Sequence, residues 1–167
     1  ITMAAPFRIA TMEVDYSPNV LVRIETDNGI VGWGEASPLH SIVGETQSIV
    51  IASSLELRHL LLGKDAAEIA ERVAEMDDFL PHNTTAKSAF DMALYDIAGK
   101  AAGMPVYQLL GGSPRPMETD LTIGLCPPKD AGKKAQAVLA RGFRIIKVKL
   151  GTNLKDDIRR LTNIREA

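Results

Sequence analysis

The sequence predicts an α+β domain followed by the first strand and helix units of a parallel βα fold. Two observations carry this prediction. The first part of the chain combines alternating β-branched runs with three helical stretches, which is typical of an α+β domain. After the Gly/Pro cluster GGSPRP, residues 111–116, the pattern changes to strand and helix in alternation, which indicates parallel βα units.

Composition describes a folded, mildly acidic chain and excludes several classes of protein. The chain has 167 residues, a formal net charge of −2 and 46% apolar side chains, so no nucleic-acid-binding surface is indicated. The single cysteine, Cys126, allows no internal disulfide and is expected to behave as a small apolar residue in a reducing compartment. No window approaches the roughly 18 consecutive apolar residues of a membrane span, and no leader pattern opens the sequence. We expect a cytoplasmic protein without membrane contact.

The sheet of the first domain is predicted from a hairpin. Residues 19–36, NVLVRIETDNGIVGWGEA, give two alternating runs joined at Asp27-Asn28-Gly29, and Asn-Gly is among the strongest hairpin signals. The opening residues can supply a third strand. The sequence therefore predicts a three-stranded antiparallel sheet.

Three helices follow the hairpin. The first is expected from Glu45 to Leu62, and the second begins with a capping box formed by Asp65 and Glu68. The third begins at Asn83 or one of the two threonines after it and ends at Gly103. Its apolar stripe consists of Ala86, Phe90, Ala93, Leu94, Ile97 and Ala101.

The second domain begins with two βα units. The expected elements are a strand at Met117–Leu125, a helix at Asp130–Arg141, a strand at Phe143–Leu150 and a helix from Leu154 onward. Each strand has one apolar and one polar face, as expected where helices cover the outside of a barrel and chemistry takes place inside. A closed eight-stranded barrel needs about 250 residues, so we expect this chain to be the front part of a longer protein.

The second of these strands contains two lysines that call for a chemical explanation. In RIIKVKLG, residues 144–151, Ile145, Lys147 and Lys149 share one face of the strand. Residues two apart on a strand are separated by about 7 Å, since each residue rises roughly 3.3 Å. Two like charges at that distance are unfavourable unless the protein uses them.

Four segments together resemble a known family. They are GIVGWGEAS (29–37), AKSAFDMALYDIAGKAAGMPVYQLLGG (86–112), TDLTIGL (119–125) and KVKLG (147–151). In order and spacing, the chain resembles the enolase superfamily, more closely its muconate-lactonizing subgroup, and most of all the dipeptide epimerases. This resemblance implies an enolase-like capping domain over residues 1–115 and the incomplete beginning of a TIM-type barrel over residues 116–167.

The resemblance also implies the roles of the two lysines. Lys149 matches the acid/base at the end of the second barrel strand, and Lys147 matches its auxiliary neighbour. A lysine with the reference pKa of about 10.4 is a poor base at neutral pH, but a second cation and partial burial favour the neutral amine. The implied reaction is removal and return of a proton α to a carboxylate through an enediolate stabilised by Mg²⁺. The acidic metal ligands and the opposing lysine are expected beyond residue 167, so this chain alone is expected to be inactive and to hold no metal ligand.

Three further positions match substrate contacts of the family. Thr122 matches a threonine near the substrate, although a polar residue filling the barrel interior explains it equally well. By the resemblance, Ile42 lies where the family's capping-domain loop packs on the substrate, and Met12 lies in the other capping loop, IATMEVDYSPN (residues 9–19), which covers the site and tunes specificity. Family members that prefer Ala-Glu can carry an arginine where this chain has Met12, so an apolar second residue, as in Ala-Phe, Ala-Leu or Ala-Val, is expected here. Arg8 would weaken this expectation if its side chain turned inward.

Some tempting residues are assigned no site role. His40 is a lone loop histidine, and such residues are more often solvated than catalytic. The helix acids Asp91 and Asp96 suggest a metal site, but Lys87 and Lys100 lie one turn away, so local ion pairing or packing within the capping domain explains them instead.

Several other functions remain open from the sequence. Other enzymes of the subgroup, such as N-acylamino acid racemase, o-succinylbenzoate synthase or muconate cycloisomerase, share the same residues. A lysine at a strand end could also form a Schiff base with a carbonyl substrate, and the chain could be a non-catalytic binding module. The resemblance favours a small-molecule substrate, either a dipeptide or an N-acyl amino acid, and a homo-oligomer.

Overall fold

The computed structural model describes all 167 residues. In chain order the elements are β1 (Thr2–Arg8), β2 (Glu13–Tyr16), β3 (Val20–Glu25), β4 (Val31–Ala36), α1 (His40–Val43), α2 (Gln47–Leu61), α3 (Ile69–Phe79), α4 (Thr84–Ala102), α5 (Val106–Leu109), β5 (Asp120–Ile123), α6 (Pro128–Ala140), β6 (Ile145–Val148) and α7 (Leu154–Glu166). None of the helices is both long enough and apolar enough to cross a membrane.

The chain forms two compact units. One is Pro18–Pro114, and the other combines Ile1–Ser17 with Arg115–Ala167. The strand pair β1–β2 therefore belongs to the same unit as the βα elements. The assignment of domains to residues 1–115 and 116–167 stays a prediction.

The predicted three-stranded antiparallel sheet is wrong. The strands form three separate pairs, with β1 and β2 antiparallel, β3 and β4 antiparallel, and β5 and β6 parallel. The opening strand pairs with Glu13–Tyr16, a segment that the sequence analysis placed in a capping loop. Pro18 lies in the chain between β2 and β3, and because proline has no N–H to donate, it cannot continue the strand ladder of β2.

The predicted hairpin is confirmed, and its loop consists of the three residues at which the sequence joins the two strands. The pairing of β3 with β4 runs as far as Glu25 opposite Val31. Beyond it, the Thr26 N–H donates to the Ile30 carbonyl at 3.0 Å, which leaves residues 27–29 as the loop. Gly29 has φ of 83°, as a three-residue hairpin requires at its last position.

Helix α4 packs closely against β4 because β4 carries two glycines. A Cβ on Gly32 would collide with the backbone of Ala93, and a Cβ on Gly34 with the backbone of Ala89. The core of this unit surrounds that contact and is made of Val22, Ala36, Val50, Leu57, Met76, Ala86, Ala89, Phe90 and Ala93.

The start of α3 differs from the prediction. Glu68 occupies the N-cap position and makes no side-chain cap hydrogen bond, so the capping box with Asp65 does not form. Asp65 instead accepts a hydrogen bond from the Ala67 N–H at 2.9 Å, which closes a local turn ahead of the helix. Aspartate readily makes such a turn with the backbone two residues on, and this turn competes with capping.

The start of α4 is capped by a residue that is remote in sequence. Asn83 is the N-cap residue, with φ of 47°, but its side chain does not cap the helix. The buried carboxylate of Glu45 accepts from the Thr85 N–H at 3.3 Å instead. The predicted end of the helix is confirmed, because Gly103 is the C-cap in the left-handed conformation.

The parallel βα arrangement is confirmed by the pairing of β5 with β6. Helices α6 and α7 cover one face of this pair. The buried core beneath them consists of Ile123, Cys126, Ala131, Ala135 and Val138, with Leu121, Phe143, Ile146 and Ile164 packed around it.

Candidate active site

The two lysines lie on the face of β5–β6 that the helices leave open. In the parallel register Thr122 is opposite Lys147, whereas Leu121 is opposite Ile146. Paired residues point to the same face, so Thr122 and Lys147 are neighbours on the polar face. Leu121 and Ile146 face the helices, as the apolar pattern predicts.

Lys149 lies directly beyond the carboxyl end of β6. Its backbone N–H donates to the Ile123 carbonyl at 3.0 Å, which continues the parallel ladder past Val148. The Lys149 side chain is half-buried, whereas Lys147 is exposed. Neither ammonium group takes part in an ion pair within this chain. The polar face thus presents two unpaired cations and a hydroxyl at one end of a strand pair.

The loop that contains Met12 lies at this same end. The Arg8 carbonyl accepts a hydrogen bond from the Leu125 N–H at 2.8 Å, directly after β5. A Cβ on Gly151, two residues after Lys149, would be only 3.0 Å from the Cβ of Ala10. The structure therefore brings the β1–β2 loop, with its half-buried Met12, against the segments that follow β5 and β6.

The other predicted specificity residue lies in the second compact unit. Ile42 is on the short helix α1 and is 71% exposed. His40 begins the same helix and is also exposed. Arg8 is exposed and lies 3.8 Å from the Glu13 carboxylate, so its guanidinium has an acidic neighbour on β2.

The ion pair predicted for Asp96 is confirmed. The Lys100 ammonium contacts its carboxylate at 2.7 Å, and the same oxygen accepts from the Trp33 N–H at 2.8 Å. The Lys100 hydrogen bond, helped by the Trp33 amide, lowers the pKa of Asp96. This carboxylate joins α4 to β4 and is a structural group.

Asp91 forms no ion pair with Lys87, so of its two expected explanations packing within the unit is the one that remains. Lys87 instead contacts Asp77 on α3 at 2.5 Å, so it joins two helices rather than two turns of one helix. Partial burial raises the pKa of Asp91.

The acidic residues of this chain do not form a metal site. No group of three or more His, Cys, Asp or Glu side chains is arranged to hold a metal ion. Asp120 shares the polar face with Thr122, but it lies at the amino end of β5, whereas Lys149 lies beyond the carboxyl end of β6.

Sequence reasoning missed one ion pair, between a buried arginine and a half-buried aspartate, beside the lysine strand. Arg160 on α7 is only 2% exposed and forms an ion pair with Asp157 one turn earlier. Arginine is almost never fully buried unless it is paired. The signal in the sequence was an Asp and an Arg at helical spacing just after the lysine strand, which by itself is an ordinary surface pattern.

The fold has two parts, an α+β unit and a parallel βα unit with lysines at a strand end. Together they agree with the family that the comparison identifies. Residues 1–111 match the family model described as "Mandelate racemase / muconate lactonizing enzyme, N-terminal domain". The chain belongs to this family, which confirms the resemblance found in the sequence.

Within this family, the chain is similar to curated relatives and solved structures that are named as epimerases. An L-Lys-D/L-Arg epimerase of Desulforapulum autotrophicum is 37% identical over 99% of this chain and 47% of its own length. An L-Ala-D/L-Glu epimerase of Clostridium acetobutylicum is 34% identical over 100% of this chain and 47% of its own length. The dipeptide epimerase of Enterococcus faecalis, solved with Mg and the dipeptide L-Leu-L-Tyr, superimposes with a TM-score of 0.96 at 34% identity, covering 99% of this chain and 47% of its own. The chain thus spans about half the length of the relatives that it matches, and these relatives are isomerases of amino acid derivatives, the enzyme class predicted from the sequence.

Proposed function

We propose that this chain supplies the capping domain and the first barrel units of a metal-dependent dipeptide epimerase. The observation that carries the proposal is the position of Lys149 at the carboxyl end of β6, on the open polar face. Active sites of (β/α) barrels lie at the carboxyl ends of their strands, so this position suits a catalytic base.

In the proposed reaction, the Lys149 amine takes the proton from the carbon α to the substrate carboxylate. The electron pair of that C–H bond forms the double bond of an enediolate, and return of a proton from the opposite face gives the other epimer. The group that acts on the opposite face would come from outside residues 1–167. Lys147 contributes a second cation on the same face, which favours the negatively charged enediolate. Thr122, its neighbour in register, offers a hydroxyl to the substrate.

Metal dependence is proposed from the relatives and not from this chain. The Enterococcus faecalis neighbour was solved with Mg. Because the acidic residues of this chain form no metal site, the ligands would have to lie outside residues 1–167.

The proposed substrate is a dipeptide with an apolar second residue. Met12 lies in the β1–β2 loop against the strand ends, and a thioether adapts well to apolar groups but cannot neutralise a carboxylate. A buried carboxylate without a partner costs several kcal/mol. The L-Leu-L-Tyr bound by the Enterococcus faecalis neighbour has an aliphatic first side chain and an uncharged aromatic second one. The two curated relatives are named for other dipeptides, so specificity varies among proteins that share this framework.

The test is kcat/KM of the full-length protein across a dipeptide panel with Mg²⁺, in which the second residue is Phe, Leu, Val, Glu, Asp, Lys or Arg. We expect turnover that a chelator abolishes and that is fastest with the apolar members. Met12→Arg should gain activity with Ala-Glu, and Met12→Leu serves as its uncharged control. A preference of the wild-type protein for acidic dipeptides would contradict the substrate assignment. Trapping of a substrate adduct by borohydride would favour a Schiff-base enzyme instead.

A further inference from the structure

Arg160 ties together the two segments that follow the strands of the candidate site. Its Nε donates to the Cys126 carbonyl, after β5, at 2.9 Å. Its Nη2 contacts the Thr152 hydroxyl, after β6, at 3.4 Å, and its Nη1 pairs with Asp157 on α7. One buried guanidinium thus spans three elements, and the planar fork of arginine suits this use because its donors are fixed relative to one another.

Asp157 holds the segment that follows Lys149. Its Oδ2 accepts from the Gly151 N–H at 2.9 Å, and its Oδ1 accepts from the Thr152 hydroxyl at 3.2 Å. The Gly151 hydrogen bond and the Arg160 guanidinium lower the pKa of Asp157. The carboxylate therefore keeps its charge at neutral pH, and charge-assisted hydrogen bonds of this kind are stronger than neutral ones.

The β1–β2 loop also restricts the backbone at Gly151. Gly151 has φ of 115°, a conformation that favours glycine, and a Cβ there would meet the Cβ of Ala10 at 3.0 Å. The segment after Lys149 therefore lies between the β1–β2 loop and the Asp157 carboxylate.

We infer that Arg160 and Asp157 are positioning residues for Lys149. Lys149 makes the last ladder bond of β6, to Ile123, and nothing in the sheet fixes the backbone beyond it. The next anchor is the Gly151–Asp157 hydrogen bond, and Arg160 joins that anchor to the end of β5. The backbone of the lysine is therefore fixed on both sides, which positions the side chain whose amine would take the substrate proton. This inference rests on the proposed function, because it assumes that Lys149 is the base.

The test compares Arg160→Gln and Asp157→Asn with Arg159→Gln in the full-length protein. Arg159 is the exposed neighbour of Arg160 on α7 and serves as the matched control. The first readout is hydrogen exchange of the peptide over residues 149–153, which does not depend on activity. The second is kcat and KM for the fastest dipeptide of the panel. The third is solvent deuterium exchange at the α-carbon, measured for each epimer separately.

We expect faster amide exchange over residues 149–153 in both variants and unchanged exchange in Arg159→Gln. A displacement of about 1 Å in a catalytic group can cost about 100-fold in rate, so kcat should fall by about 10- to 100-fold, with KM changed by less than about threefold. The loss of α-proton exchange should fall mainly on the epimer that Lys149 serves. A merely structural defect would instead lower exchange equally for both epimers.

Each outcome separates this inference from the proposed function. Unchanged amide exchange over residues 149–153, or an equal loss for both epimers, overturns the positioning role. A wild-type protein that turns over no dipeptide contradicts the proposed function, whereas the amide exchange still decides whether the pair orders the segment. If Arg160→Gln does not fold, Thr152→Ala removes one exposed hydroxyl from the same network and should give the same pattern in weaker form.

Discussion

Replacement of Gly34 by alanine tests the close packing of α4 on β4. The new Cβ would collide with the Ala89 carbonyl oxygen and lie 2.7 Å from its carbon, both too close for atoms that are not bonded. Because the obstacle is helix backbone and not the end of a flexible side chain, the strand or the helix must move. Extra methyl groups in well-packed cores typically cost 1–3 kcal/mol, and the backbone obstacle places this site at the upper end, about 3 kcal/mol.

Gly29→Ala is the matched control. Gly29 also lies in the hairpin, but nothing is within 4 Å of its added Cβ, and only its φ of 83° is strained by a side chain. That strain costs roughly 1–2 kcal/mol. Hydrogen exchange of the β3–β4 amides in the full-length protein reports the local opening free energy of both variants. A Gly34→Ala change below about 0.5 kcal/mol, or one smaller than that of Gly29→Ala, would refute the argument from close packing.

Two further predictions concern the same compact unit. Leu57 is fully buried, so Leu57→Ala should lower the free energy of unfolding, measured by urea denaturation, by about 3 kcal/mol. Leu55 lies two residues away and is half-exposed, so Leu55→Ala should lower it by about 0.5 kcal/mol or less. Similar costs for the two variants would contradict the assignment of Leu57 to the core. Burial raises the pKa of Asp91, so the folded state binds the carboxyl proton more tightly than the unfolded state does. The stability that this proton contributes is present at low pH and is lost as the pH rises through the folded-state pKa. Asp91→Asn should therefore stabilise the protein at neutral pH and lose that advantage in acid, as followed by Tm against pH, and an advantage that does not depend on pH would contradict burial as the cause.

The elements with local signals were predictable from the sequence. The stripe of α4 identified a buried helix because Phe90, Ala93 and Leu94 recur at helical spacing, and Gly103 marked its end. The hairpin at Asn28-Gly29 was found for the same reason, since the turn chemistry lies within a few residues. The lysine face of β6 followed from simple alternation.

What could not be predicted depends on partners distant in sequence. The opening strand could pair with any exposed edge, and only the folded chain shows that Glu13–Tyr16 is its partner. Lys87 has Asp91 at a suitable helical spacing, yet a carboxylate on α3 offers it better geometry. Arg160 follows an ordinary surface spacing from Asp157, and only its burial shows what it holds.

The central claim is that Lys149 removes the α-proton from one face of a dipeptide. It is tested most directly by α-proton exchange in D₂O, followed by NMR for each epimer separately, with the full-length Lys149→Ala variant. Lys155→Ala, at an exposed position at the start of α7, is the control for loss of a nearby positive charge. Loss of a general base costs about 10²- to 10⁴-fold in rate, so exchange should fall by at least about 100-fold for one epimer and persist for the other. Undiminished exchange for both epimers in the folded variant would contradict the account.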